Sequence, residues 1–369
     1  MKGPGVGVEG RATTVLIFEY VTGGGMAGRA LPASWAAEGA AMRRAIVRDF
    51  ATLPDVRVVT TVDARLPIEE IPGVDVRVFA DHDWGWPESL AAGPDYILLI
   101  VPEAIRTHKY EVYYVESVGG RLLGSSYRAI DLVGDKYRLA HQLARHQVPT
   151  PPTMLIRPNF SGFPDEWYGP ILIKPSHGAG SVDTVVVGDR RCPSWVPRDR
   201  TFVAQPYLSG EPMSASFLVD VEGHPTLLAI GRQRFDHDED GRLSYLGGTI
   251  PARLDYCPAP VLAAIEAANV SVEGRARSRG LRGFVGVDFL LDEQDRATVL
   301  EINPRPTTSY VGLARLFPPG TIAGAWLAAI NGPLDQTDWP DRLRLPANTP
   351  AVSFDADGTI HPHRRDDAS

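Results

Sequence analysis

The sequence predicts two adjoining parts of different construction, an open α/β unit followed by an α+β unit. Three observations carry this. The chain opens on an apolar run, a helix-periodic stretch and a β-branched run, the order of a βαβ beginning. The run Tyr96–Val101 (YILLIV) lacks alternation, which suits a parallel strand covered on both faces. Beyond Asp131 the pattern changes to short strands and turns with a few helices among them. Length permits both units, since 369 residues at about 150 per domain give roughly 2.5 domains.

In the first unit, residues 1–14 are Gly-rich and polar, and Val15–Tyr20 reads as a buried strand closed by Thr22-Gly23-Gly24-Gly25. Trp35, Met42, Ile46, Phe50 and Leu53 recur at helical spacing, and Val56–Val62 supplies the next strand. Asp131–Gln147 reads as one helix, stopped by Pro149, Pro151 and Pro152. Short strands are expected at 171–174, 184–187, 201–204, 214–219 and 226–230, then a helix over Ala259–Arg279 and strands over 284–291 and 297–302. Asp357-Gly358 between apolar residues predicts a terminal hairpin over Ala351–Pro362, with a tail from His363.

Composition narrows the function. Charged residues make up 22% and hydrophobic residues 44%, an ordinary globular mixture that fits neither disorder nor a membrane bundle. With 37 Lys and Arg against 45 Asp and Glu the net charge is −8, which argues against a nucleic-acid binder and leaves room only for a local cationic pocket. Cys192 and Cys257 match neither a zinc nor a redox spacing, consistent with a reducing cytoplasm. No run approaches the length needed to span a bilayer, so neither an export signal nor a membrane anchor is expected.

Several motifs offer chemistry. Gly23, Gly25 and Gly28 have the spacing of a dinucleotide fingerprint, but Pro32 delays the helix and Asp63 lies too far downstream for the usual acidic partner. Lys174 sits inside an apolar strand, Ile171–Pro175, where its ammonium needs a partner such as phosphate. The loop Ser176-His177-Gly178-Ala179-Gly180-Ser181 follows, small enough to fold its N–H groups over the same phosphates. Asp288 and Glu301 lie on successive strands among apolar neighbours, and Asn303 shares the face of Glu301. Facing carboxylates of this kind need a counter-charge, and magnesium takes hard oxygen ligands and bridges nucleotide phosphates. Arg232 and Arg234 share one strand face, and Arg234 is placed in the site. Asp236, Asp238, Asp240 and Gly241 imitate the start of a calcium loop, but Gly247 stands where a bidentate Glu is required, so they read as an acidic hairpin turn.

Taken in order, Asp135-Lys136 at a helix start, Ile173-Lys174-Pro175 with its Gly-rich loop, Gln205-Pro206-Tyr207-Leu208-Ser209-Gly210-Glu211, Asp288 and Glu301-Ile302-Asn303-Pro304-Arg305 resemble the ATP-grasp ligases from Asp131 to about Leu316. Phe18–Gly25 and Asn303–Tyr310 are most similar to the tyramine–glutamate ligases of methanofuran-type cofactor synthesis. The resemblance implies an ATP-grasp fold with an N-terminal open α/β (pre-ATP-grasp) domain over 1–130. A linker helix and lid subdomain would occupy 131–200, a C-terminal subdomain with the metal site 201–330, and a hairpin and tail 331–369.

It further implies that Lys136 and Lys174 hold ATP phosphates with His177, Gly178, Gly180 and Ser181. Gln205, Pro206, Tyr207 and Leu208 would form the adenine hinge, where Gln205 replaces a more usual glutamate, and Glu211 would hold the ribose. Asp288, Glu301 and Asn303 would ligate Mg2+ or Mn2+, and Arg305 would act with Lys174 and Arg234 at the reacting phosphate. The expected activity is ATP-dependent joining of a carboxylate to an amine through an acyl phosphate, with glutamate and tyramine, tyrosine or a related aromatic amine as substrates. Partners would be small molecules, with no nucleic acid and no membrane, and a homo-oligomer is left open. The alternatives are another ATP-grasp ligase making a dipeptide or cofactor side chain, a nucleotide-binding regulator without turnover, and a dinucleotide-dependent oxidoreductase using Gly23–Gly28.

Overall fold

The computed structural model describes residues 11–79, 90, 93–102, 108–157, 160, 162–178, 181–188, 196, 200–252, 254, 256–270 and 280–362. Gly180, Cys192, the segment 271–279 of the expected long helix and the tail from His363 lie outside these residues. The first unit is a parallel sheet of β1 (Thr13–Glu19), β2 (Val56–Asp63), β3 (Val74–Phe79) and β4 (Tyr96–Ile100), ordered β3-β2-β1-β4. Both faces of β1 are covered, as a strand without alternation requires. Val15 and Ile17 pack on α1 (Ala33–Ala51), whereas Leu16 and Phe18 pack with α2 (His108–Ser117) and α3 (Tyr127–Val133). The strand β3 was not anticipated, because its central residues Arg77 and Val78 are exposed at the sheet edge.

The Gly-rich turn after β1 is filled by the protein itself. A Cβ on Gly23 would stand 2.4 Å from the Glu19 carbonyl oxygen, and one on Gly24 or Gly25 would stand 2.6 Å from Phe79 or the Tyr20 ring. The N–H groups of Gly23 and Gly25 donate to the carbonyls of Glu19 and Tyr20. The space a pyrophosphate would need at Gly23, Gly24 and Gly25 is filled, and the Gly23 and Gly25 N–H groups are taken, so the dinucleotide alternative is dropped.

The expected helix over Asp131–Gln147 is broken into α3 and α4 (Lys136–Arg145). Asp135 stands between them in extended conformation and accepts from the N–H groups of Tyr137 and Arg138, an N-cap that restarts the helix at Lys136. Four strands follow as an antiparallel sheet, β5 (Met154–Ile156), β6 (Ile171–Pro175), β7 (Val185–Val187) and β8 (Phe202–Pro206), in the order β5-β8-β6-β7. The remaining strands build a seven-stranded antiparallel sheet: β9 (Glu211–Val219), β10 (Pro225–His237), β11 (Leu243–Ile250), β12 (Gly283–Leu291), β13 (Ala297–Asn303), β14 (Val352–Asp355) and β15 (Ile360–Pro362). Its order is β13-β12-β9-β10-β11-β14-β15. The terminal hairpin forms as expected, and β14 pairs with β11, which was not anticipated. The acidic turn also behaves as read: the Asp238 carboxylate accepts from the N–H groups of Asp240 and Arg242 at the β10–β11 turn.

One core joins the first unit to the large sheet. Phe50 of α1, Phe284 of β12, and Tyr310 on α6 (Ser309–Leu316) surround Trp326 on α7 (Thr321–Asn331), with ring centroids 5.8–6.3 Å from the indole. Buried Asp49 ties the same elements, accepting from Tyr310 Oη at 2.8 Å and from the N–H groups of Gly320 and Ala323 at 2.6 and 3.0 Å. A second core forms where α3, α4 and α5 (Ala259–Val270) cover the large sheet. Among the described residues no single helix is long and apolar enough to cross a membrane.

Candidate active site

Two strands and a helix start bring the cations together. Along β6, Ile171 and Ile173 enter the core of the small sheet, so by alternation Leu172 and Lys174 face the opposite side, where both line a cavity of about 190 Å³. Lys136 lines it too, from the first turn of α4. A cation there opposes the helix dipole, and Lys136 is held by other groups: its Nζ donates to the Gly178 carbonyl at 2.5 Å and lies 3.2 Å from Glu301 Oε2. The loop after β6 is pinned to the same helix start, because Ser176 Oγ donates to Asp135 Oδ1 at 2.7 Å and the Lys136 N–H donates to the Ser176 carbonyl at 2.9 Å.

The acids arrive from the large sheet. Asp288 of β12 is directly opposite Glu301 of β13, and the register then shifts so that Phe289 faces Val299. Leu300 is the extra residue, and this bulge lets Leu300 and Glu301 both line the cavity. Asn303 Nδ2 donates to Asp288 Oδ2 at 3.0 Å, and Gln233 Nε2 of β10 donates to Asp288 Oδ1 at 3.2 Å.

The four charges set one another. Burial is the largest influence on Lys174 and lowers it from 10.5 to about 8, with Glu301 pulling it back up, Lys136 pushing it further down and Asp288 raising it. Burial alone would raise Glu301, but Lys136 and Lys174 beside it hold its carboxyl below the usual range. Asp288 moves the other way, raised first by burial and then by the negative charge of Glu301. Such a pair is short of positive charge even with two lysines present, which is the condition under which a divalent cation adds most. Asp288, Glu301 and the Asn303 carbonyl oxygen offer hard oxygen donors. Among the described residues no group of three or more His, Cys, Asp and Glu side chains could hold a metal, so the amide and further non-protein oxygens would have to complete a shell.

The far end of this cavity is lined by Gln205, Pro206, Tyr207 and Leu208, with apolar walls from Leu172, Leu290 and Leu300. The buried Gln205 side chain turns away to donate to Thr153 Oγ1 at 2.8 Å, so this stretch offers its backbone. Gly178 and Ser181 line the cavity, whereas His177 does not. Glu211 sits between the lining residues Gly210 and Pro212 with its carboxylate 2.7 Å from Arg232 Nε.

A larger cavity of about 570 Å³ shares Ser181, Gln233, Asp288 and Glu301 with the first. Asn303 and the buried Arg305 line it, as do Glu19, Trp35 and Glu38 of the first unit and Tyr245 of β11. Arg234 corrects the expectation that it lies in the site: it lines neither cavity, and its Nη2 is 2.7 Å from Asp355 Oδ1 and 3.2 Å from the Phe354 carbonyl. The reason is the contact with β14: Asp355 and the Phe354 carbonyl hold the guanidinium at the point where the β10–β11 register shifts, whereas Arg232, two residues earlier, does line the larger cavity. Gln233, Tyr245, Trp35 and Glu38 were missed in the sequence. For Gln233 the signal was present in the same period-two pattern that paired the two arginines.

Comparison with known proteins bears on the fold and the domain. Residues 133–309 match the family described as the ATP-grasp domain. The chain is similar to tyramine–L-glutamate ligases of Methanocaldococcus jannaschii, 28% identical over 219 residues, and Methanocaldococcus fervens, 29% identical over the same length. These stretches cover 59% of this chain and 58% and 61% of the relatives, so the match spans about three fifths of the relatives' own length. Among solved structures, an ATP-grasp superfamily protein from Archaeoglobus fulgidus superposes with a TM-score of 0.62 at 24% identity, covering 86% of this chain and 89% of that one. The D-alanine–D-alanine ligase of Bacillus anthracis complexed with ATP gives 0.54 at 14% identity, covering 87% and 96%. At these identities the structures establish the fold.

Proposed function

For a chain that folds as an ATP-grasp protein and carries that domain over residues 133–309, we propose the activity of an ATP-dependent carboxylate–amine ligase. One observation carries it: Lys136 and Lys174 meet Asp288, Glu301 and Asn303 where an apolar cavity opens into a larger one. Adenine fits the apolar end against the backbone of Gln205–Leu208, which leaves the phosphates at the lysines. Glu211 can serve the ribose by exchanging Arg232 for a sugar hydroxyl. Asp288, Glu301 and Asn303 would hold magnesium, which supplies Lewis-acid polarisation of phosphate oxygens when bound.

The residues then divide the work. A carboxylate is a poor electrophile, and its anion is repelled by the phosphates it must attack. Lys136, Lys174 and Arg305 offset that charge and hold the γ-phosphate in line. Attack by the carboxylate oxygen on phosphorus expels ADP and forms an acyl phosphate. An amine then displaces phosphate and leaves the amide, with no covalent enzyme intermediate. The larger cavity gives the carboxylate and the amine their room, and the relatives' names point to glutamate and tyramine. The methanofuran-type cofactor synthesis in the cytoplasm expected from the sequence is kept as part of this proposal.

The test is incubation with MgATP, glutamate and a panel of aromatic amines and amino acids, reading ADP and the joined product by mass. Product with ADP in equal amounts supports the proposal. ADP at background with every pair would reject it, and binding of MgATP without turnover would favour the regulator.

A further inference from the structure

One wall of the larger cavity has no task in the chemistry above. It is the face of α1, which presents Trp35 and Glu38, neighbours at helical spacing. Glu38 is half-buried, and its Oε1 accepts from Thr308 Oγ1 at 2.6 Å, which fixes the carboxylate in one orientation. Among the described residues no cation is paired with it. Other carboxylates lining this cavity are engaged. Glu19 accepts from the N–H groups of Val21 and Thr22, Asp183 pairs with Arg200, Asp238 and Asp357 are taken by their own turns, and Asp288 and Glu301 belong to the lysine cluster. Thr308 lies three residues beyond Arg305, so Glu38 is tied to the loop that carries the reacting-end arginine. Tyr245 lines the cavity between the two acidic regions, its phenol pushed up by burial first and then by the charges of Asp288 and Glu38.

We propose that Glu38, oriented by Thr308, selects the amine substrate, receiving the ammonium of a primary amine whose flat apolar body lies along Trp35. An amine with a carboxylate beside its nitrogen would bring a second negative charge against Glu38 and is disfavoured. This rests on the ligase reading and adds the residue that chooses the amine. Trp35 and Glu38 come from the first unit, outside the matched domain, so substrate choice and phosphate chemistry reside on different parts of the chain.

Tyramine, tyrosine and 4-ethylphenol form the probe set, differing by one carboxylate or one ammonium. With the full chain, Glu38→Gln should raise the KM for tyramine roughly 10- to 100-fold, the range of a hydrogen bond to a charged group, and leave the KM for ATP unchanged. Glu38→Lys should invert the preference toward tyrosine, and 4-ethylphenol should not compete with tyramine in the wild type. Thr308→Val, which keeps the carboxylate and frees its orientation, should raise the same KM by a smaller factor and serves if Glu38→Gln does not fold. A tyramine KM within about threefold of wild type in every folded variant overturns the proposal. If the wild type makes no amide, tyramine binding by calorimetry with MgADP present separates the two readings. Binding lost in Glu38→Gln retains the selection while the ligase reading falls. Equal binding in both, or none in the wild type, overturns the selection.

Discussion

Removing the charge of Lys174 by raising the pH should loosen the protein's hold on ATP within an accessible range. Its side chain is 7% exposed, and burial, only partly offset by Glu301 and Asp288, brings it from 10.5 to about 8. That difference corresponds to about 3 kcal/mol between the charged and neutral forms. In the free protein the ammonium is lost as pH rises through about 8, so kcat/KM for ATP should fall on an alkaline limb near that value. Bound phosphates favour the ammonium, so the limb in kcat should lie higher. Lys174→Arg keeps a charge at every accessible pH and should remove the limb while lowering the plateau, because a fork replaces a point charge. The assay is the initial rate of ADP release over a range of ATP concentrations, with the other substrates saturating, from roughly pH 6 to 10. The same group makes a stability prediction of opposite sign. Its folded value lies below its unfolded one, so its penalty on the fold is complete below about 8 and is relieved as pH rises toward 10.5. Lys174→Met should therefore be more stable than wild type at neutral pH. A flat kcat/KM across the range, or a limb that persists near 8 in Lys174→Arg, would refute the reasoning.

Three further changes follow. Glu301→Gln removes the anion shared by Lys136 and Lys174 and should lower ligation roughly 10²- to 10³-fold in a protein that stays folded at the assay temperature, with a lowered thermal midpoint because two buried cations lose their counter-charge; unfolding at that temperature would make its role structural. Asp49→Ala leaves Tyr310 Oη and the N–H groups of Gly320 and Ala323 without their acceptor, and urea unfolding should show a loss of about 3 kcal/mol, with less than about 1 kcal/mol contradicting the network. Gly247 has φ +125°, and a Cβ there would lie 2.0 Å from the Phe354 carbonyl, so Gly247→Ala should cost about 1–3 kcal/mol and increase amide exchange in β14 before the rest of the sheet.

The parts that could be read in advance are those where one local rule had no competitor. Uninterrupted apolar runs identified β1 and β4, a β-branched run identified β2, and the opposed placement of Asp288 and Glu301 followed from two strands with a short acidic turn. Lys174 stood out because an ammonium is costly inside an apolar strand. Local signals failed where a distant partner decides. No strand was expected over 243–250, yet Gly247-Gly248 lies within β11, where β14 passes too close for a side chain. Gly134-Asp135 looked continuous with its helix until Ser176 took the Asp135 carboxylate and the cap could be recognised. Arg234 is drawn aside by the Phe354 carbonyl and Asp355 of β14, partners 120 and 121 residues away that no local pattern announces. The cavity wall from α1 was hidden for the same reason, since no spacing in the sequence relates Glu38 to Thr308 across 270 residues.

The central claim is that one triphosphate lies between the two lysines and the carboxylate pair and hands its γ-phosphoryl group to a carboxylate. Its most direct test is oxygen transfer: glutamate labelled with 18O in its side-chain and α-carboxylates is turned over with MgATP and tyramine, and the released phosphate is weighed. Attack of a carboxylate on phosphorus predicts one 18O atom in each inorganic phosphate formed with the amide. Amide formed with unlabelled phosphate, or with AMP and pyrophosphate in place of ADP, would contradict it.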